Sequence, residues 1–151
     1  MADAITVANR FLALAQKRNA TLTPMQVLKL VYLAHGWMLG LYGRPLFQDS
    51  VQAWQYGPVI PSLYNKVRSF KSQPVIGPLP SSDPKGLTPE EESVADQVYA
   101  IYGDLSGPAL SRLTHAPNTP WSQTYDPHHF GLQISNDLIE NFYRAKLAEG
   151  D

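Results

Sequence analysis

The sequence contains no cysteine, which excludes disulfide bridges, thiol nucleophiles and zinc sites of the finger type. It also lacks an excess of charge of either sign, since 12 Lys and Arg residues stand against 13 Asp and Glu residues, giving a net charge of −1. A chain with this balance has no broad basic surface to attract phosphates. We therefore do not expect a nucleic acid as its partner.

No apolar run is long enough to cross a membrane. The longest apolar stretch, residues 24–42, is interrupted by Lys29 and His35, whereas a spanning helix needs about 20 predominantly apolar residues. The first ten residues, MADAITVANR, lack the basic and apolar segments of a signal peptide. We expect a cytoplasmic protein that makes no membrane contact.

Motifs of the common enzyme and cofactor classes are also missing. The chain has no P-loop, nucleophile elbow, zincin helix, dinucleotide fingerprint or EF-hand loop. The adjacent His128 and His129 point apart in an extended segment, so they are not expected to chelate one ion. The sequence therefore predicts no catalytic residues, no metal site and no cofactor.

What the chain does contain fits a single domain spanning residues 1–151. Hydrophobic residues make up 44% of the sequence, and this length is sufficient to bury a core. The 13 prolines are spread along the chain rather than clustered. This spacing indicates short elements joined by ordered turns.

Residues 24–42 predict one long, central helix. Thr23 and Gln26 form a capping box at its start, and Gly43 fits the left-handed residue just past its end. Apolar residues cover most of its circumference, which is typical of a helix packed on several sides. Gly36 and Gly40 lie on one face and predict the close approach of another backbone.

Periodicity and capping signals predict five further helices, at about 3–19, 61–70, 88–102, 106–113 and 136–148. The inward side chains of the fourth helix in the chain are expected to be Val94, Val98, Ile101 and Tyr102. Residues 49–56 alternate weakly and suggest an extended segment, residues 71–87 a loop, and residues 128–131 irregular structure. The predicted fold is mostly α, a compact bundle of about six helices around the central helix 24–42, with room for one short β-strand pair.

Two histidines have candidate roles. His35 lies between apolar neighbours and is expected to be a core residue with one hydrogen bond. His115 ends a helix just before a proline-rich turn, where a structural role tying that helix to Trp121 is favoured over catalysis. The rival interpretation is a small hydrolase-like enzyme in which His115 works with a carboxylate such as Asp126.

The aromatic residues suggest a binding surface. Three tryptophans and eight tyrosines are many for this length, and Trp and Tyr dominate protein–protein hot spots. Trp54, Tyr56 and Tyr64 surround a Gly-Pro turn that fixes the backbone, so we predict them to be anchors for a protein partner. The alternative is that all three fill the core beneath the central helix.

Six stretches of the sequence stand out when they are taken together: LKLVYLAHGW at 28–37, PLF at 45–47, AWQYGPVIPSLY at 53–64, LTH at 113–115, PW at 120–121 and residues 134–142. In this order they resemble the Panacea antitoxin domain, also called SocA-like, whose members include phage-associated GepA-like proteins. The residues matching the family signature are Trp37, Trp54, Tyr56, Gly57, Pro58, His115, Pro120 and Trp121.

The resemblance implies a compact, mostly helical antitoxin that neutralises a cognate toxin protein by direct binding. The family carries no established catalytic residues, so none are transferred to this chain, and a non-enzyme is expected. A variant of this hypothesis is an adaptor that delivers its partner to a protease. The sequence is also compatible with a homo-oligomer.

Overall fold

The computed structural model describes residues 2–81 and 86–149. Within these residues the chain forms seven α-helices and three short strands. In chain order they are α1 (Ala4–Lys17), α2 (Pro24–Tyr42), β1 (Gln52–Trp54), β2 (Gly57–Val59), α3 (Pro61–Val67) with a 3-10 turn at Arg68–Phe70, α4 (Pro89–Tyr102), α5 (Gly107–Thr114), α6 (Pro120–Thr124), β3 (Leu132–Gln133) and α7 (Asn136–Ala148). The predicted mostly α bundle is confirmed.

Helix α2 is the centre of the bundle, as its sequence predicts. The capping box between Thr23 and Gln26 is present, and Gly43 ends the helix at a φ of 69°. Helices α1, α4, α5 and α7 all pack against α2, so its side chains are buried along most of its length. Over the two stretches 2–81 and 86–149, the structure has no helix both long and apolar enough to cross a membrane.

Helix α7 crosses α2 at the two glycines. A Cβ added at Gly36 would lie 2.4 Å from Cε2 of Tyr143, and one added at Gly40 would lie 2.8 Å from Cβ and 3.0 Å from the backbone carbon of Tyr143. The predicted close approach is therefore present. At Gly40 the neighbouring chain is backbone, whereas at Gly36 the space is filled by the Tyr143 ring.

The strands form one antiparallel sheet in the order β2-β1-β3. Gln52 pairs with Val59 across the β1–β2 hairpin and with Gln133 on the other side. The sequence allowed only a single pair, and it missed β3. That strand is two residues long and both are exposed, so it carries no burial pattern to detect.

Helix α4 corrects one expectation about its buried face. Ile101 is 68% exposed, while Tyr99 is 5% exposed. The buried positions follow the helical i, i+3, i+4, i+7, i+8 pattern; they are Glu91, Val94, Ala95, Val98 and Tyr99.

The short helix α6 lies where the sequence indicated only a turn. Residues 82–85 of the predicted loop 71–87 lie outside the described residues.

Candidate functional site

A cleft of about 760 Å³ opens on one side of the bundle. Its walls come from the first half of α2, the β1–β2 hairpin, α3 with the residues after it, and the segment 125–130. We call it the aromatic cleft; the lining residues that matter here are Lys29, Trp54, Tyr56, Tyr64, Arg68 and Phe130. Sequence segments more than 70 residues apart meet at this site.

Trp54 is the centre of the aromatic wall. Its ring meets Tyr64 edge-on, with centroids 5.0 Å apart, and lies 5.1 Å from the ring of Phe130. Its Nε1 donates to Oε1 of Gln52 at 2.9 Å. Two ring contacts and one hydrogen bond thus hold the indole in place at the cleft.

Exposure separates the three predicted anchors. Tyr56 is 67% exposed at the cleft rim, whereas Trp54 and Tyr64 are half-buried and pack against the core. Phe130, at 83% exposed, belongs to the same rim. The sequence did not identify Phe130 because it lies in a segment with no regular pattern. The available signal was an aromatic residue directly after His128 and His129.

The hairpin that carries Trp54 and Tyr56 is fixed through its backbone. The alternate carbonyls of Trp54, Tyr56 and Pro58 each accept a side-chain hydrogen bond from a different helix. Nε1 of Trp121 in α6 donates to the carbonyl of Trp54 at 2.6 Å. Oγ of Ser111 in α5 donates to that of Tyr56 at 2.7 Å, and Nζ of Lys29 in α2 donates to that of Pro58 at 2.9 Å. Strands of three residues are not stable alone, so these bonds hold the hairpin in place.

Gly57 follows the tip of this hairpin for a steric reason. Its φ is +122°, and a Cβ at this position would lie 2.9 Å from Nζ of Lys29. A side chain would therefore both strain the backbone and displace the lysine. The absence of a side chain at Gly57 thus leaves room for the Lys29 ammonium, which donates to the carbonyl of Pro58.

His115 supports the site from behind. Its Nδ1 contacts the carbonyl oxygen of Ser111 and lies 3.3 Å from Oγ of the same serine. Its ring meets Trp121 edge-on at 5.3 Å, and Trp121 in turn stacks on Tyr125 at 4.8 Å. The histidine thus touches both Ser111 and Trp121, two of the residues that hold the hairpin carbonyls.

The carboxylate considered as a partner for His115 is engaged elsewhere. Oδ2 of Asp126 lies 2.9 Å from Nδ1 of His129, and Oδ1 accepts from the backbone N–H of His128 at 2.9 Å. The hydrogen bond from His128, together with His129, lowers the pKa of Asp126. No hydrogen bond between His115 and Asp126 exists in the described residues, so the pair suggested for a hydrolase is not formed.

Trp37 and Pro120, two further residues matched to the family, also lie off the lining of the cleft. Trp37 donates to the hydroxyl of Tyr102 at 3.2 Å and meets Tyr143 edge-on at 5.0 Å. Pro120 is buried in the first turn of α6, where Thr119 caps the helix. Both residues therefore act on packing, and Pro120 fixes the start of the helix that presents Trp121.

Lys29 was not singled out from sequence as a site residue. It is 3% exposed although it lines the cleft, and burial lowers its pKa to about 8. In the part of the chain described, no carboxylate lies within 4.0 Å of its Nζ. The available signal was its isolation, since it is the one Lys or Arg residue in positions 24–42.

In residues 2–81 and 86–149, no three His, Asp or Glu side chains converge, so there is no candidate metal site there.

His35 is the fully buried histidine, and both of its ring nitrogens have hydrogen-bond partners. Its Nδ1 accepts from the N–H of Leu46 at 3.3 Å, and its Nε2 lies 3.0 Å from Oδ1 of Asn136. It therefore has two hydrogen bonds rather than the one expected, and it stacks on Phe47 at 4.2 Å.

Comparison with known proteins assigns the class. Residues 27–122 match the family described as antitoxin SocA-like, Panacea domain, and the chain belongs to this family of antitoxins. It is 28% identical over an alignment of 155 residues to the antitoxin SocA of Caulobacter vibrioides (strain NA1000 / CB15N), covering 94% of this chain and 82% of that protein. No solved structure matches the chain significantly.

Proposed function

We propose that this protein is an antitoxin that neutralises a cognate toxin protein by direct binding, with the aromatic cleft as the contact surface. Family membership supports the antitoxin role. The observation that carries the choice of surface is that two strongly exposed aromatic residues, Tyr56 and Phe130, line the same cleft as the half-buried Trp54.

The physical argument for this surface is the rigidity of its aromatic residues. Immobilising a flexible side chain on binding costs about 0.5–1.5 kcal/mol, and part of this cost is avoided when the side chain is already held. Trp54 is fixed by ring contacts and a hydrogen bond. Large exposed aromatic groups on such a support are typical of binding hot spots.

Binding rather than catalysis is also supported by the polar groups near the cleft. A general base needs a positioned partner within hydrogen-bond reach. His115 contacts Ser111, and Asp126 contacts His129. The histidine and the carboxylate are thus committed to different partners, and we propose that the protein has no enzymatic role.

The test first screens the proteins encoded by the neighbouring reading frames for one that arrests growth, and then titrates that purified toxin into the antitoxin by calorimetry. We expect Tyr56→Ala and Phe130→Ala each to weaken binding by about 2 kcal/mol, the threshold of a hot spot, with unchanged melting temperatures. Tyr42→Ala is the matched control, because Tyr42 is 47% exposed and does not line the cleft. Full affinity in both rim variants would reject the cleft as the contact surface.

Co-expression separates direct neutralisation from delivery to a protease. Direct binding predicts that the antitoxin rescues growth equally well in a protease-deficient host. An adaptor would fail to rescue in that host while still binding the toxin in the calorimeter. The two measurements together therefore distinguish which of the two antitoxin hypotheses holds.

A further inference from the structure

We propose that the aromatic cleft takes an acidic segment of the toxin, with a carboxylate of that segment bound by Lys29 and an apolar side chain lying on Trp54. This inference rests on the proposed function and adds the chemistry of the partner. It assigns a binding role to Lys29, Arg68 and Lys71. These three cations all line the same cleft.

The first support is the incomplete pairing of the Lys29 ammonium. An ammonium group has three N–H donors, and in the described residues Lys29 has one hydrogen bond, to the Pro58 carbonyl. A buried charge is costly unless it is paired and hydrogen-bonded. An incoming carboxylate would supply both the opposite charge and further acceptors.

The second support is the sign of the charges around the cleft. Lys29, Arg68 and Lys71 face it, and the one carboxylate in the lining, Asp126, is already bonded to His129. The protein as a whole has a net charge of −1, so this local excess of positive charge is not a reflection of overall composition. Charge complementarity therefore favours an acidic occupant.

The third support is the neighbouring aromatic surface. The guanidinium carbon of Arg68 lies 5.6 Å from the Tyr64 ring centroid, and that ring meets Trp54. A cation and an aromatic wall are thus adjacent within one cleft. A peptide that places a carboxylate beside an apolar side chain matches both features at once.

Protonation is compatible with this role. Burial lowers the pKa of Lys29 to about 8, so the side chain still carries its charge in most molecules at pH 7. A bound carboxylate favours the charged form and would raise this pKa. The energetic penalty of burying the ammonium in the free protein is then relieved in the complex.

The test compares Lys29→Met with the parent in calorimetric titrations of the purified toxin at low and high salt. Methionine keeps much of the length and removes the charge. We expect at least tenfold weaker binding and a reduced salt dependence for Lys29→Met. Lys66→Met, at an exposed position of α3 outside the cleft, is the matched control and should bind like the parent.

A second variant keeps the test valid if Lys29→Met fails to fold. Arg68 and Lys71 are exposed, so the double substitution Arg68→Gln and Lys71→Gln should preserve the melting temperature and weaken toxin binding severalfold. Parent-like affinity and salt dependence in folded Lys29→Met would overturn the carboxylate assignment. If Lys29→Met does not fold, parent-like binding by the double variant would overturn it.

Two other outcomes are equally decisive. If the parent does not bind the toxin at all, both the proposed function and this inference fail. If the parent binds and the substituted variants bind with the same affinity, only this inference fails. Cations beside aromatic rings also suit single-stranded nucleic acid. Tight binding of an oligothymidylate that depends on Lys29, with toxin binding that does not, would reassign the cleft to that ligand.

Discussion

The two halves of helix α2 meet their surroundings in opposite ways. The second half presents Gly36 and Gly40 to α7, with the Tyr143 ring and backbone in direct contact. The first half carries Lys29 beneath the hairpin and borders an open cleft of about 760 Å³. The contact between α2 and α7 leaves no space at the two glycines, whereas the cleft beside the first half leaves room for a ligand.

Two buried ionisable side chains of α2, His35 and Lys29, illustrate the same contrast. His35, in the closed half, has a partner for each ring nitrogen. Lys29, in the open half, has one hydrogen bond in the described residues and three donors. His35 is therefore saturated and structural, whereas, among the residues described, Lys29 retains unused donors.

The largest expected effect concerns pH and the closed half. Burial lowers the pKa of His35 to about 4, with its bond to Asn136 opposing the shift, while an unfolded histidine titrates near pH 6.5. Between these values the unfolded chain binds more protons, so stability falls as the pH falls. The shift corresponds to about 3 kcal/mol at 1.36 kcal/mol per pKa unit.

Chemical denaturation at several pH values between 7 and 4 measures this loss. His35→Gln is the control, because glutamine does not titrate in this range. The difference in stability between the parent and this variant should narrow as the pH falls. Parallel losses in both proteins would show that His35 does not drive the acid sensitivity.

The next effect is steric and also concerns the closed half. Gly40→Leu should destabilise the protein by about 2–3 kcal/mol, in the upper range for overpacking, because the obstructing atoms include the backbone of Tyr143 and Arg144. Gly36→Leu should cost less, about 1–2 kcal/mol, since the Tyr143 ring can move. Thermal melting should rank the variants in this order.

Ala100→Leu provides the comparison for these insertions. Ala100 is exposed on α4, so the same added volume should change stability by no more than about 0.5 kcal/mol. Equal melting temperatures for Gly40→Leu and Ala100→Leu would contradict the tight α2–α7 contact.

The next prediction concerns Trp54, which lines the open cleft and also packs against the core. A fully buried tryptophan replaced by alanine costs about 3–5 kcal/mol, and Trp54 is only half-buried. Trp54→Ala should therefore destabilise by about 2 kcal/mol and also weaken toxin binding. Trp54→Phe, which keeps a ring against Tyr64, should recover most of the stability.

Two measurements, a melt and a titration, are needed for this variant. A stability loss with normal toxin affinity would place Trp54 wholly with the core. Unchanged stability with lost affinity would make it a pure surface anchor. Either result would show whether Trp54 contributes to the stability of the core or to binding at the cleft.

The smallest effect is expected behind the cleft. His115→Gln should cost about 1 kcal/mol or less, the value of one hydrogen bond, because glutamine can still donate to Ser111. Toxin neutralisation should be largely preserved in a growth-rescue assay. Loss of neutralisation with an unchanged melting curve would move His115 into the functional surface.

Local signals predicted most of the helices. The capping boxes at Thr23 and Thr88 and the serine cap at Ser135 mark helix starts through bonds within one turn. Gly43 marks an end in the same way. Such signals need no knowledge of distant residues, and this explains why the boundaries of α2 were predicted correctly.

The site was only partly predictable, because it depends on contacts between distant segments. Trp54 and Tyr56 stood out through their chemistry and the turn beside them. The role of Lys29 depends on a carbonyl 29 residues away, and Phe130 meets the ring of Trp54, which lies 76 residues earlier in the chain. No local pattern encodes either contact, so neither residue was identified as a site residue.

The alternate carbonyl bonds of the hairpin have a consequence for how the protein loses activity. The recognition surface is built on a hairpin that depends on Lys29, Ser111 and Trp121, which are contributed by three separate helices. Undocking of the short helix α6 would release the Trp54 carbonyl while the central helix α2 and its packed neighbours stay folded. Local openings of this kind require less free energy than global unfolding, so the ability to hold a partner would be lost before the native fold.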